Sequence, residues 1–131
     1  LRYPWGKAFP IPPEAGNYGD QSARQILRRT LPDFTDSYAA TAPVSSLEAN
    51  AMGFFHLGGN VAEWMHDYYA VYPGMAEQLV TDPAGPASGD HHVVRGSSWR
   101  HGSISELRLS YRDYSRGPRP DLGFRIARYA E

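Results

Sequence analysis

The sequence predicts an irregular α+β domain poor in regular secondary structure, and three observations point there. Glycine (13 residues) and proline (11) are spread through all 131 positions, aromatic side chains make up 13% of them, and strongly periodic segments are few. Glycine and proline punctuate local structure, so a chain this rich in them consists of many turns joining short elements. A length of 131 residues supports one domain with a modest core and is short for two. Residues 1–131 are therefore read as a single domain.

The elements follow in chain order. A helix is predicted over Ser22 to Thr30: Ser22 is a capping residue, Ala23, Ile26 and Leu27 share a face, and Pro32 stops it because proline lacks the next donor. Val61 to Tyr69 mixes aromatic and polar residues as a strand at a sheet edge does. A second strand is read at His92 to Arg95, and a third at Phe124 to Arg128 with Phe124 and Ile126 on one face. Leu107 to Arg112 fits either type. Tyr72 to Asp90, with Pro73-Gly74, Asp82-Pro83 and Gly85-Pro86, reads as an exposed loop.

Composition excludes several classes of function. Thirteen basic against 14 acidic residues leave a net charge of −1, which gives no electrostatic case for nucleic acid or an anionic membrane as partner. No apolar run reaches the length of a membrane span and no signal peptide is visible, so a soluble protein is expected, with no location readable. The chain holds no cysteine, which removes disulfides, thiolate metal sites and thiol nucleophiles together. Lys7 is the only lysine, and eight arginines fall from Arg95 onward. Planar multi-donor side chains of this kind tie loops together through carbonyls and carboxylates, or form an anion-binding surface.

The most informative stretch is Gly59-Asn60-Val61-Ala62-Glu63-Trp64, where an amide and a carboxylate flank a glycine turn as a strand begins. Arg95-Gly96-Ser97-Ser98-Trp99 and Gly123-Phe124-Arg125 repeat its combination of glycine, aromatic and charge. With Tyr3-Pro4-Trp5-Gly6, Asn17-Tyr18, Thr41-Ala42-Pro43-Val44, Asn50-Ala51-Met52-Gly53, Asp82-Pro83 and Tyr111-Arg112, these phrases occur in the order that resembles the formylglycine-generating enzyme (sulfatase-modifying factor) family. The resemblance implies an irregular C-type-lectin-like α+β fold. In that family a longer segment with an Arg-Leu-Pro-Thr-Glu-Ala-Glu-Trp-Glu motif precedes the Tyr-Pro-Trp-Gly phrase. The resemblance thus implies that these residues are a fragment, the C-terminal part of the domain, with an N-terminal segment of the same domain as partner, supplied by a second chain or a cleaved piece.

The family resemblance also implies structural Ca2+, a hard cation needing six to eight oxygens. One set consists of the Asn17 side chain, the Tyr18 carbonyl, the Asp36 side chain and the Tyr38 carbonyl. The other consists of the His56, Gly59 and Val61 carbonyls with the Glu63 carboxylate. The alternatives are that Asn17 and Asp36 are turn residues and that Glu63 pairs with an arginine such as Arg95 or Arg125.

Catalysis in aerobic members rests on two cysteines that bind Cu(I) shortly after the Gly-Gly-Ser-Tyr/Trp turn. Here Arg100-His101-Gly102-Ser103-Ile104 occupies that stretch, with His101 near the first cysteine position and Ile104 near the second. A soft Cu(I) ion has no thiolates to bind, so no copper site is expected and the copper-dependent activity is rejected. Two functions remain. The first is a pseudoenzyme or diverged binding domain, whose surface at Trp99, Arg100, His101, Tyr114 and Arg116 contacts a peptide or small ligand. The second is a metal-dependent oxidoreductase, as in the iron-dependent sulfoxide synthases of the same superfamily, with ligands partly in the N-terminal segment. His101 is the sole candidate for a catalytic residue. His66, His91 and His92, with Asp67 or Asp90, lack HxD or HxxxH spacing, and a Ser-His pair around Ser97, Ser98, Ser103 or Ser105 with Asp113 or Asp121 lacks a nucleophile-elbow pattern.

Overall fold

Strand-forming residues are concentrated in the second half of the chain, and they build one four-stranded mixed sheet. The computed structural model describes residues 1–72, 81 and 83–128. The strands are β1 (Ala62–Tyr68), β2 (His92–Arg95), β3 (Asp113–Ser115) and β4 (Leu122–Gly123), in the order β3-β2-β1-β4. β2 runs antiparallel to both neighbours, whereas β4 runs parallel to β1. Val93 and Val94, on opposite faces of β2, are both almost fully buried, so this strand is covered on each side. Between Trp64, opposite Val94, and Tyr68, opposite His92, the register of β1 on β2 shifts.

The first 60 residues have no strand and are held by rings. Tyr3, Tyr18, Leu31, Phe34 and Leu107 form the main core cluster, with Trp5, Ile11 and Ala15 packed on it. Tyr3 stacks on Trp5 at 4.9 Å, and Trp5 meets the Tyr18 ring edge-on at 5.8 Å. Burying a ring as completely as that of Tyr18 is worth about 2 kcal/mol. Its hydroxyl lies within hydrogen-bond distance of the Gly58 and Ala15 carbonyls, so the most buried ring also satisfies its polar end. Burial pushes the phenol up from its ordinary value, with the charge of Asp36 adding to the effect.

The predicted helix at Ser22 to Thr30 is replaced by a single 3-10 turn, Gln21–Ala23. Its cap is Asp20, whose carboxylate accepts the Ser22 amide. The chain then doubles back so that the Leu31 amide reaches the Gly19 carbonyl at 2.7 Å. A helix through these residues would instead carry Leu31 about 18 Å along its axis from Gly19. Ile26, expected on a buried face, is 56% exposed.

The predicted strand at Phe124 to Arg128 is also corrected. Only Leu122–Gly123 pairs; beyond them Phe124 and Ile126 lie exposed and the backbone makes no hydrogen bond among the described residues. The undecided segment Leu107 to Arg112 is a turn, pinned by the Arg95 guanidinium, which donates to the Leu109 and Tyr111 carbonyls at 2.9 and 2.7 Å. Of the expected loop at Tyr72 to Asp90, Tyr72, Thr81 and 83–90 are exposed; residues 73–80 and the Asp82 of the Asp82-Pro83 phrase lie outside the described residues. Among the described residues no helix is long and apolar enough to cross a membrane.

Candidate functional site

The glycine turn at 59–61 is built by backbone that few residues adopt. Gly59 has φ +107 and Asn60 φ +66, and a Cβ on Gly59 would press on the Asn17 backbone. This close approach lets Asn60 gather three segments. Its amide donates to the Asn17 carbonyl at 2.8 Å and its carbonyl accepts the Trp99 amide at 2.8 Å. Its side chain grips Ala42 twice, Oδ1 accepting the amide and Nδ2 donating to the carbonyl.

Of the first expected metal set, Tyr18 and Tyr38 meet Asp36, while the Asn17 side chain turns to Ala40 and Asn60. The Asp36 carboxylate accepts the Tyr18 amide through Oδ2 and the Tyr38 amide through Oδ1, each at 2.8 Å. Its own amide donates to Asp20, a second buried carboxylate. Burial raises the Asp36 carboxyl to about 6; the Tyr18 and Tyr38 amides oppose the rise and the charge of Asp20 adds to it. Neither aspartate has a cationic side chain within ion-pair distance among the described residues. The Asn17 Nδ2 donates to the Ala40 carbonyl and to Asn60 Oδ1, whereas its buried Oδ1 has no partner among the described residues. Unpaired amide oxygens and carboxylates without a cationic partner are the donor types a hard cation takes. Both Asp36 carboxylate oxygens accept backbone amides, as in a turn residue, and it is the amides of Tyr18 and Tyr38 that face them. Among the described residues no three His, Asp or Glu side chains converge as a metal cluster.

The second set is arranged differently. Arg125 forks onto Glu63, Nη2 donating to Oε1 at 2.8 Å and Nε at 3.1 Å, and Nη2 also reaches the Phe55 carbonyl. The carboxylate of Glu63 is thereby neutralised without an ion, and the His56, Gly59 and Val61 carbonyls stand without a second acid. Arg95, the cross-strand neighbour of Glu63, spends its guanidinium on the 107–112 turn instead.

The stretch after the second glycine phrase is held by a buried polar chain. The Ser98 hydroxyl donates to Asp121 Oδ2 at 2.8 Å, and Asp121 and Asp113 both face Arg119. His101 Nδ1 lies 3.0 Å from the Ser98 amide. A backbone N–H only donates, so Nδ1 accepts and the neutral ring carries its proton on Nε2. Burial lowers His101 from the ordinary histidine value, which keeps the ring neutral. No Ser-His nucleophile is formed here, because the Ser98 proton is committed to Asp121 and not to His101.

The expected ligand residues fall into separate groups. Arg100 lies over the Trp99 ring at 5.6 Å, and His101 meets Tyr111 edge-on at 5.4 Å. Tyr114 instead packs on Tyr69 at 4.4 Å and on His91, while Arg112 lies over Tyr69 and Tyr72. Arg116 is exposed. Among the described residues no ring contact or hydrogen bond joins Tyr114 to Trp99, Arg100 or His101. The predicted histidines also separate: His92 Nδ1 contacts the His66 carbonyl, and its ring packs on Tyr68. A cleft of about 260 Å³ lies elsewhere, between Trp5, Glu14, Glu48, Phe54 and Leu57, and none of the expected ligand residues lines it.

Residues 1–130 match the family model for the sulfatase-modifying factor enzyme 1-like domain. This chain belongs to that family. Within the sulfatase-modifying factor family it is 38% identical over 104 residues to the formylglycine-generating enzyme of Streptomyces coelicolor, covering 73% of this chain and 32% of that enzyme. It is also 33% identical over 135 residues to the hercynine oxygenase of Mycolicibacterium thermoresistibile, covering 96% of this chain and 26% of that protein. Variable protein 1 of Treponema denticola shares the fold with a TM-score of 0.61 and 30% identity, over 83% of this chain and 34% of its own. The chain thus spans about a third of the length of the curated relatives it matches first. The irregular, strand-poor architecture is that of the family, whose relatives here include oxidoreductase-like proteins.

Sequence reasoning did not assign three residues the site depends on. Asn60 was visible only as part of a motif. Asp20 carried a signal, an Asx residue immediately before a helical start. Asp121, considered as part of a triad, holds Ser98 for packing.

Proposed function

We propose that this chain is a binding or diverged member of the sulfatase-modifying factor family, without the copper–cysteine chemistry and with one structural Ca2+. One observation carries the binding role: the adjacent side chains of Arg100 and His101 each hold a hydrogen-bond donor without an acceptor. The exposed Arg100 guanidinium and the His101 Nε2–H have no hydrogen-bond acceptor among the described residues. Such donors suit an acceptor-rich ligand, a peptide carboxylate or carbonyl. Titration with a short peptide ending in a free carboxylate tests it by NMR. Shifts at the Trp99 indole and the His101 ring are expected, lost in Arg100→Ala. A peptide that moves neither resonance removes this function.

The Ca2+ proposal rests on Asn17 Oδ1, Asp20 and Asp36 and is tested by melting. EDTA lowers the melting temperature if the ion bridges these loops, because a ligand that binds only the folded state stabilises it by mass action. A chelator that leaves the transition unmoved counts against it.

The match to hercynine oxygenase over nearly the whole chain favours a second function, a metal-dependent oxidoreductase whose ligands lie partly in an N-terminal segment. Stoichiometric iron or copper on the complete protein supports this alternative, and calcium alone supports binding.

A further inference from the structure

The turn from Ser98 to His101 is closed twice by the same pair of residues. The His101 amide donates to the Ser98 carbonyl at 3.0 Å, and the Ser98 amide donates back to His101 Nδ1 at 3.0 Å. The turn is also anchored outside itself, since the Trp99 amide reaches the Asn60 carbonyl and the Ser98 hydroxyl donates to Asp121. That hydroxyl accepts the Arg100 amide at 3.3 Å, so Arg100 takes its place from Ser98. Ser98 is fully buried, which leaves its amide no bulk water as a substitute partner.

The bond to Nδ1 exists in one protonation state. An imidazolium carries a proton on each nitrogen, so Nδ1–H would meet the Ser98 N–H donor against donor. A buried amide without an acceptor is costly, and the turn moves rather than keep it. Charged groups from several segments face the ring: Glu106, Asp113 and Asp121 favour its protonation and Arg119 opposes it, while the Tyr111 ring lies edge-on at 5.4 Å. Burial outweighs the carboxylates, so the ring takes up its proton only below the ordinary histidine range.

We propose that the 98–101 turn is a proton-operated latch, closed while His101 is neutral and opened when Nδ1 takes a proton from solvent, which frees the Ser98 amide and the placement of Arg100. The latch is a property of the turn and holds whatever ligand the turn meets.

NMR of the 131-residue chain across a pH series tests it. The ring nitrogens are expected to show the Nε2–H tautomer, and the Ser98 and Arg100 amides to shift with the midpoint of the His101 ring. Hydrogen-exchange protection at Ser98 falls about tenfold per pH unit as that midpoint is approached from above, because opening takes up one proton. His101→Asn sets an oxygen near the place of Nδ1 and takes no proton, so its Ser98 protection stays constant over the same range. An Nδ1–H tautomer, a Ser98 amide that does not follow the ring, or a ring that stays neutral until acid unfolds the chain each overturns the latch. These readings need only the wild type. A folded His101→Asn that loses Ser98 protection in step with the wild type overturns it as well.

Discussion

Asn60 holds Ala42 as a neighbouring strand would: Oδ1 accepts the Ala42 amide at 2.8 Å while Nδ2 donates to the Ala42 carbonyl at 3.1 Å. Asn60→Asp keeps the size and the tolerance of positive φ, loses the donor, and sets a carboxylate against a carbonyl. A loss of about 3 kcal/mol is expected in urea unfolding, because a buried acceptor is left unpaired beside a buried charge. Asn60→Gly, which keeps φ and loses both bonds, costs about 2 kcal/mol. An unchanged midpoint in Asn60→Asp removes the clamp.

Asp36 sets a pH dependence with a definite sign. Its carboxyl is raised to about 6 in the fold, above the ordinary aspartate value, so the folded state binds its proton more tightly than the unfolded chain. Its contribution is therefore complete below about pH 4 and is lost as pH rises through about 6. Melting temperatures measured in EDTA at constant ionic strength should fall across that window. A rise through it, after correction with Asp36→Ala, contradicts the assignment.

Glu63 and Arg125 are coupled. Both are only partly exposed, at 16% and 38%, and the contact is forked. A double-mutant cycle with Glu63→Gln and Arg125→Ala is expected to give about 1 kcal/mol, above most exposed pairs. Arg125→Ala alone costs more than Glu63→Gln, since it also frees the Phe55 carbonyl. Arg125→Lys, with no planar fork, does not restore the coupling. A zero coupling energy leaves Arg125 a packing residue.

Gly102 tolerates no side chain. A Cβ there would overlap the Arg29 carbonyl, a backbone atom, where the 29–31 segment crosses the chain beside Gly19 and His101. Gly102→Ala is expected to cost about 3 kcal/mol, the upper range for an overpacked site. Gly117→Ala, with open space around it, is the control and stays near wild type.

The sequence revealed strands where local composition and pairing agree. His92 to Arg95 was legible because two adjacent β-branched valines stand in a short run that ends at a glycine. Ser22 to Thr30 was not, because the Leu31–Gly19 hydrogen bond joins residues whose closeness no local pattern announces. Phe124 to Arg128 reads as a strand, and its apolar alternation is real; what the described residues lack is the second strand. At the site, the family resemblance grouped Asp36 with Tyr18 and Tyr38, whose amides meet its carboxylate. The partner of Glu63 was open between two arginines, and the choice turned on Arg95 being drawn to the 107–112 turn. Asn60 was illegible as a clamp because Ala42 lies 18 residues away with only irregular chain between them.

The Asn60 clamp has a consequence for how such a sequence can vary. Three segments take their position from one residue rather than from a continuous ladder, so the stretches between those anchor points are not tied to one another in length. Insertions, deletions and new side chains can accumulate in them while the frame stays put. A fold fastened at a few points leaves most of its surface free for evolution to rewrite.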